Sequence, residues 1–560
     1  MKSFKNLSDN QRSLLLGIAM FTMGGCGLAY EYTLSKIASD LLGNSVQQWA
    51  IIIALMLFFM GVGADLQQYI KDKKLISCLI YSQLILGVLG GFGAIAILFS
   101  FSVFRAHFVL IQYTLICIIG LMIGFEIPLL TRINQFYSKD VKSNIARILK
   151  MDYIGALCGA LFWVFLLTRH FTIVETGFII GAITLLTTIL CLLLFQSKIQ
   201  HLKTSWAICI VALLSLAAGF SQAKDWTHHA EQYLYRDRII FSETTKYQHI
   251  VITESASKTI ACYINGHLQF NSADEYIYHE NLVHPAMHIA PRKKNILILG
   301  GGDGLAAREL LKYSEVESIT LVDLDPTMTN LARNNQHFSR MNGDSLNHAK
   351  LTQLKNNALI TEPTQPIFVP NQNALDPTQN DFVAEVSILN IDAAKFVAQA
   401  PGIYDVIIID FPDPNAIELS KLYSQHFYGL LRKKLAADGI FVQQSTSPTH
   451  AKEAFLCVGR TMDSAGLAAL PYHDNVPTFG EWGWWIGGRD DRYTPETLHN
   501  KISSIDDLQV HTQYLTHSLI HASLAFGKGQ LNSTNVDLNT IASPCVYSYY
   551  LNGWSAVNGL

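Results

Sequence analysis

Six aspartates stand at or just beyond the ends of four apolar, β-forming runs. They are Asp303 after "NILILG", Asp323 and Asp325 in "ITLVDLD", Asp392 in "VSILNID", and Asp410 and Asp413 in "VIIIDFPDP". One acid at such a place often caps the helix that follows. Asp325, with Pro326 next to it at a first helical position, fits that use. Capping accounts for one or two of the six. Acids that converge on one cleft repel each other unless a cation usually lies among them. The chemistry to expect is recognition of a positively charged ligand.

The turn "LGGGDG", Leu299 to Gly304, sharpens this expectation. Nucleoside-binding methyltransferases tend to read acid-x-Gly-x-Gly-x-Gly. Here Gly300, Gly302 and Gly304 fit, but the acidic position is Ile298 and a carboxylate stands inside the turn at Asp303. S-adenosylmethionine carries an amine and a carboxylate on its methionine tail, and Asp303 would repel the carboxylate. Decarboxylated S-adenosylmethionine keeps only the amine. An acid in the turn therefore selects the decarboxylated nucleoside by attraction and by exclusion of its parent.

The elements that must hold these residues alternate. Strand "NILILG", helix 304–313, strand "SITLVDLD", helix 326–336, strand "VSILNID", helix 393–399, strand "YDVIIIDF", helix 422–436 and strand "GIFVQQS" follow in order. Apolar strands alternating with helices predict a parallel, doubly wound α/β sheet of Rossmann-like (methyltransferase) type. Ligands of such sheets bind beyond the carboxyl ends of the strands. A small N-terminal antiparallel β unit ("HIVITE", "TIACYING", "LQFNS") precedes it, with a hairpin turn at Asn265-Gly266. A helix over "YIYHENLVHPAMHIA" links the two. Residues 341–381 are polar, carry four prolines and show no period, so they read as a surface insertion.

The first 222 residues are of another kind. Half of the 560 residues are hydrophobic and 15% charged, but the apolar excess is concentrated here. Seven runs, at about 14–30, 45–64, 75–99, 108–130, 152–168, 173–195 and 205–220, approach the roughly 20 residues a membrane span needs. The division expected is a multi-pass α-helical membrane domain over 1–222, the small β unit and linking helix over 223–290, and the Rossmann-like domain over 291–560. Residues 223–245 read as a polar connection. Alternate connections between spans hold 13 Lys and Arg against 3 in the others, which puts the N-terminus in the cytoplasm. The side of the second half depends on whether the seventh run crosses. A net charge of −3 without a basic tract speaks against nucleic acid as a partner. Six of the nine cysteines lie in the apolar runs, and the other three lack metal or disulfide spacing.

Together "YQHIVI", "NGHLQFNSADEYIYHE", "ILGGGDGLAARELLKY", "ITLVDLD", "YDVIIIDFPDPN" and "LYSQHFYGLLRKKLAADGIFVQQSTSP" resemble the spermidine synthases, or polyamine aminopropyltransferases, across about 235–490. The apolar half, with "GFEIPLLTR", resembles their membrane-bound bacterial branch. The resemblance implies that Gln248, Asp303, Asp323 and Asp392 hold the nucleoside: Asp303 the propylamine, Asp323 the ribose hydroxyls, Asp392 the adenine amino group. It implies that Asp410 is the general base and that Asp413, Gln269 and His279 lie near the polyamine. The expected reaction is a single displacement in which an amine, putrescine by default, takes an aminopropyl group and methylthioadenosine leaves. Beyond decarboxylated S-adenosylmethionine as co-substrate, no cofactor or metal is called for. Homo-oligomers are implied by the soluble relatives, and the lipid bilayer is the other expected partner. Phe411 and Pro412, between the two acids of the base motif, replace small hydroxyl residues, and Phe479 and Trp482 replace a tyrosine–proline run. Both departures border the acceptor amine.

Two rival readings are a methyltransferase, disfavoured by Asp303 and Ile298, and a polyamine sensor or transporter, disfavoured by the intact Asp410 and Asp413. His279, His284 and His288 are expected to comprise one substrate-side residue and two structural ones rather than a metal site. Tyr278 and Tyr423 read equally as core or as ligand wall, while Trp482, Trp484 and Trp485 read as packing. Glu126, flanked by apolar residues, is either paired with Arg132 or used to handle a cationic substrate.

Overall fold

The computed structural model describes residues 8–42, 45–138, 140–199, 201–347, 349–361, 384–533 and 536–558. The chain divides into two compact units, Met1–Arg236 and Asp237–Leu560.

In the first unit, seven helices are long and apolar enough to cross a membrane: Asp9–Leu41, Gln47–Tyr69, Asp72–Val103, Arg105–Asn134, Val141–His170, Ile173–Leu194 and Leu202–Gln232. They coincide with the seven runs expected. The last is longer than the sequence suggested. Residues 223–232, read as the start of a polar connection, continue the helix, because Ala, Lys, Glu and Gln keep helical backbone favourable after hydrophobicity ends. The division placed at 222/223 thus falls inside a helix.

Between lipid-soluble helices the main attraction is close packing, which small residues allow. Gly155 and Gly159 supply it against the first helix. A Cβ at Gly155 would lie 2.0 Å from the Phe21 carbonyl oxygen, and one at Gly159 2.4 Å from that of Gly25. Gly61, by contrast, faces open space.

The second unit holds two sheets. The smaller has strands β1 (Arg238–Thr244), β2 (His249–Glu254), β3 (Ile260–Ile264) and β4 (His267–Asn271) in sequential antiparallel order. Asn265 and Gly266 both take positive φ, 51° and 81°, as the tight hairpin between β3 and β4 requires. The first strand lies in the stretch read as a connection. The helix Glu275–Ile289 follows.

The larger sheet contains β5 (Asn295–Gly300), β6 (Ser318–Asp323), β7 (Lys350–Lys355), β8 (Ala358–Thr361), β9 (Glu385–Asn390), β10 (Tyr404–Asp410), β11 (Leu435–Gln444), β12 (Leu467–Val476) and β13 (Gly480–Arg489). Their spatial order is β12-β13-β11-β10-β5-β6-β9-β7-β8. The pairs linking β11, β10, β5, β6, β9 and β7 are parallel, and β13, β12 and β8 add antiparallel edges. This is the doubly wound sheet the sequence predicts. β5 and β10, whose interior residues are fully buried, lie side by side at its centre.

Residues 341–381 correct the insertion reading in part. Residues 350–361 form the edge hairpin β7–β8, turning through Asn356 and Asn357 at φ 49° and 59°. Asn342 is fully buried, and its amide donates to the carbonyls of Asp303 and Ala332. The start of the segment thus buttresses the glycine turn. Residues 362–381 lie outside the described residues.

A side chain at a close crossing must push two helices apart, whereas one facing open space need not. Gly155→Leu is therefore expected to lower the thermal midpoint of the full chain in detergent, and Gly61→Leu to leave it unchanged. Fluorescence-detected size-exclusion after heating checks the pair.

Candidate active site

In a doubly wound sheet the cleft opens where the chain leaves neighbouring strands in opposite directions. Here that point lies between β5 and β10, where Asp410 pairs in register with Gly300. The glycine turn closes over the acid. A Cβ on Gly300 would lie 2.1 Å from the Asp410 carbonyl oxygen, and both Gly300 and Gly301 take positive φ (84° and 65°). No other residue type tolerates both demands. Gly302 makes the same approach to the next strand. Its N–H donates to Asp323 Oδ2 at 3.1 Å, and a Cβ there would sit 2.5 Å from that oxygen.

A ring nitrogen of His279 and one carboxylate oxygen each from Asp303 and Asp410 lie within 4.8 Å of one another. Two buried acids this close oppose each other's ionisation. Burial, and then Asp410, pushes Asp303 up to about 6, with His279 acting against the rise. Burial likewise raises Asp410, against His279 and against the Tyr278 hydroxyl, which donates to Asp410 Oδ1 at 2.6 Å.

The histidine is itself held from behind. Its Nδ1 lies 2.9 Å from Glu275 Oε2, one helical turn earlier, and Arg308 binds that carboxylate with two N–H···O bonds of 2.7 and 3.0 Å. Burial alone would lower the imidazole's pKa, but Glu275 and the two aspartates outweigh it and raise it to about 9. With Nδ1 committed to Glu275, the positive charge favoured on His279 balances the two acids of the trio. Arg308, Glu275 and His279 thus form a row of alternating charge that ends on the two cleft acids.

The remaining residues singled out in the sequence divide clearly. Asp323 is held at about 7, raised chiefly by burial, while the N–H groups of Asp325 and Gly302 favour its charged form. Asp325 is a helix cap, as expected. It accepts from the Thr327 N–H at 3.0 Å and from the Thr245 hydroxyl at 2.8 Å, tying the Gln248 loop to the cleft rim. Asp392 is a second cap, accepting from the N–H groups of Ala394 and Lys395 and ion-paired with Lys421. Burial would raise it, but Lys421 and those N–H groups keep it low. Asp413 is pushed up to about 6 by burial and accepts from the Thr446 hydroxyl at 3.2 Å. The Gln269 amide donates to the His267 carbonyl on its own strand at 3.1 Å.

Phe411 turns away from the cleft into the core, against Phe427 and Tyr423. Its hydrophobic side chain therefore leaves the base motif's polar face unchanged. Tyr278 and Tyr423 each bond that motif, at Asp410 and at the Pro412 carbonyl. Phe479 packs between Tyr278 and Trp482, with ring centroids at 6.2 and 4.9 Å, and makes an aromatic wall beside the acid. His284 is engaged by Tyr313 and Glu309, and His288 by the His284 carbonyl, which makes both structural.

Two contributors were missed. The Glu275–His279 pair at i,i+4 was legible in "EYIYH" as two groups on one helix face. The hydroxyl of Tyr550, on the helix Cys545–Asn558, bonds Asp413 across 137 positions, and no local pattern announces it.

The sheet order, the glycine turn and the acids at the central strands define a Rossmann-like transferase of methyltransferase type. A family model described as the spermine/spermidine synthase domain matches residues 275–362 and 375–494. The polyamine aminopropyltransferase of Leptospira interrogans is 34% identical over 97% of this chain and 99% of its own. Polyamine aminopropyltransferase 2 of Ralstonia nicotianae is 34% identical over 98% and 99%, and the Oceanobacillus iheyensis protein 34% over 94% and 95%. A crystal structure of spermidine synthase with the transition-state analogue AdoDATO covers 52% of this chain and 87% of that one, at 23% identity and a TM-score of 0.40. The chain belongs to the polyamine aminopropyltransferase family.

His279 binds its proton more tightly in the fold than in an unfolded chain. Its contribution to stability is present below about pH 6.5 and lost as pH rises through about 9. Glu275→Gln removes the anion that holds the proton. It is expected to move the alkaline limb of kcat/KM down from about 9 toward the ordinary histidine range, which a pH–rate profile reads directly. Gly302→Ala, by displacing Asp323, is expected to raise the nucleoside KM about tenfold, the order of one lost charge-assisted hydrogen bond, with a smaller change in kcat.

Proposed function

We propose that this cleft transfers the aminopropyl group of decarboxylated S-adenosylmethionine to a di- or polyamine, with putrescine as the default acceptor. The observation that carries the reading is the convergence of Asp303, from the turn after β5, and Asp410, at the end of the adjacent β10, on one charge-balanced point. The acceptor's nitrogen lone pair attacks the propyl carbon bonded to the sulfonium, the C–S bond breaks, and methylthioadenosine leaves uncharged. Free in water the acceptor amine is protonated, so Asp410 must first take up that one proton to expose the lone pair. The new secondary ammonium keeps its charge, and Asp410 returns its proton to water when the products leave. His279 favours the ionised form of both acids against burial, and the Tyr278 hydroxyl fixes the orientation of Asp410.

Asp303 takes the donor's ammonium and disfavours the carboxylate of S-adenosylmethionine. Asp323 suits the ribose hydroxyls, and Gln248 and Asp392 lie on the loops that would border the nucleoside. Asp413, with Thr446 and Tyr550, anchors the far ammonium of the acceptor, and Gln269 lies on the same small sheet that precedes His279. The chemistry needs no metal or organic cofactor. The seven apolar helices support a multi-pass position in the cell's inner membrane, the excess of Lys and Arg in alternate connections favours a cytoplasmic N-terminus, and a homo-oligomer is the expected assembly.

Asp410→Asn keeps the size of the side chain and removes the proton acceptor. It is expected to lower kcat by a factor of about 10² or more, the range of general-base catalysis, while nucleoside binding is retained. Mass detection of methylthioadenosine with a panel of amines checks this and names the acceptor. Asp303→Asn is expected to weaken discrimination against S-adenosylmethionine in competition binding. Unchanged discrimination would remove the role given to the acid in the turn.

A further inference from the structure

The membrane-spanning unit contains an acid that the transferase reaction does not use. Glu126 is 1% exposed and lies where the fourth span is interrupted between the helices Phe108–Gly124 and Glu126–Asn134. Pro128 follows in the first turn and has no N–H to give, so the carbonyl of Gly124 loses its helical donor. A carbonyl freed in this way inside a membrane must be satisfied by a neighbouring helix, by water or by a bound group.

The sequence offered Arg132 as a partner for Glu126. In the structure the Arg132 guanidinium is engaged elsewhere, by the Gln67 carbonyl and side chain, the Ile70 carbonyl and Asp72. Among the described residues Glu126 has no ion-pair partner; its Oε1 accepts from Gln83 Nε2 at 2.6 Å. Gln83 is 1% exposed, and the oxygen of that same amide has no protein partner. A second acid reaches this level of the bundle. Gly27 of the first helix touches Ile123, one turn before Glu126, and Gly24, one turn away, touches Asp152. Acids without cations, beside an unpartnered amide oxygen at a helix break, are unfavourable in a membrane interior unless a cation enters.

We propose that Glu126 and Gln83 form an intramembrane binding site for an alkylammonium ion. A primary ammonium has three N–H donors, which two or three oxygen acceptors satisfy, and its methylene chain suits apolar helix surfaces. Calcium or magnesium would need six or more oxygens, which this place does not supply. Choosing a polyamine among alkylammonium ions rests on the proposed function of the second unit.

The test uses the full chain in phosphatidylcholine nanodiscs, with dicyclohexylcarbodiimide as a probe of buried carboxyls and mass spectrometry to locate the adduct. Spermidine is expected to slow labelling at Glu126 at least severalfold, and sodium chloride of equal ionic strength is expected not to. Equal labelling with and without spermidine, or equal protection by the salt, overturns the site. Glu126→Gln is expected to abolish one class of bound spermidine while leaving turnover unchanged. Undiminished binding also overturns it. Should that variant fail to fold, Gln83→Leu keeps the reactive acid and is expected to lose the protection; protection retained in it counts against the proposal. Protection without any transferase turnover would refute the catalytic reading and leave this site standing, and the reverse result would do the opposite.

Discussion

Burying two carboxylates against each other is unfavourable, and the catalytic unit is organised around meeting that condition. Asp410 ends one central strand and Asp303 stands in the tight glycine turn that follows its neighbour, which leaves the two acids little freedom to separate. A compensating cation has to be supplied at a fixed place. His279 supplies it, but a buried imidazole gives up its proton readily unless an anion holds it. Glu275 is that anion, and Arg308 prevents Glu275 from becoming an unpaired charge in turn. Each member of the row is tolerable only because of its neighbours, so its parts act as one unit rather than as separate contributions.

The backbone supports this arrangement through close approaches rather than through side chains. Gly300 lies against the Asp410 carbonyl and Gly302 against the Asp323 carboxylate, while Gly304 is backed by Asn342, Ser345 and Leu346. Asn342 and Ser345 bond the carbonyls of Asp303 and Gly304, fixing the turn from the side away from the cleft. The left-handed backbone of Thr446, at φ 61°, aims a hydroxyl at Asp413 from the end of the next strand, a position β-branched residues rarely accept without surrounding support.

Much of this was legible in the sequence, for a physical reason. Fully buried parallel strands such as β5 and β10 must be continuous apolar runs, and an acid directly after such a run marks the ligand end of the sheet. Asp303, Asp323 and Asp410 therefore declared themselves. Asp392 shared the same signature, and its carboxylate also caps a helix and pairs with Lys421, contacts that the run of residues does not announce. The hairpin β7–β8 escaped notice because an edge strand is partly solvated and its residues, "KLTQLK" and "ALIT", lack an apolar run. Tyr550 and Arg308 act through tertiary contact alone. Long helices outlast their hydrophobicity, so the seventh span could not be measured from apolar residues alone.

Asp410 ends β10 in register with Gly300 of β5, and the glycine turn that starts there brings Asp303 back beside it. A longer turn, or a side chain at Gly300, would move the two acids apart. The aromatic wall of Phe479 and Trp482, by contrast, stands near the tip of the β12–β13 hairpin at the sheet edge, away from the β5–β10 pairing. Under the proposed reading, the wall beside the acceptor can thus be reshaped at the sheet edge while the turn and central strands that would hold the donor stay as they are.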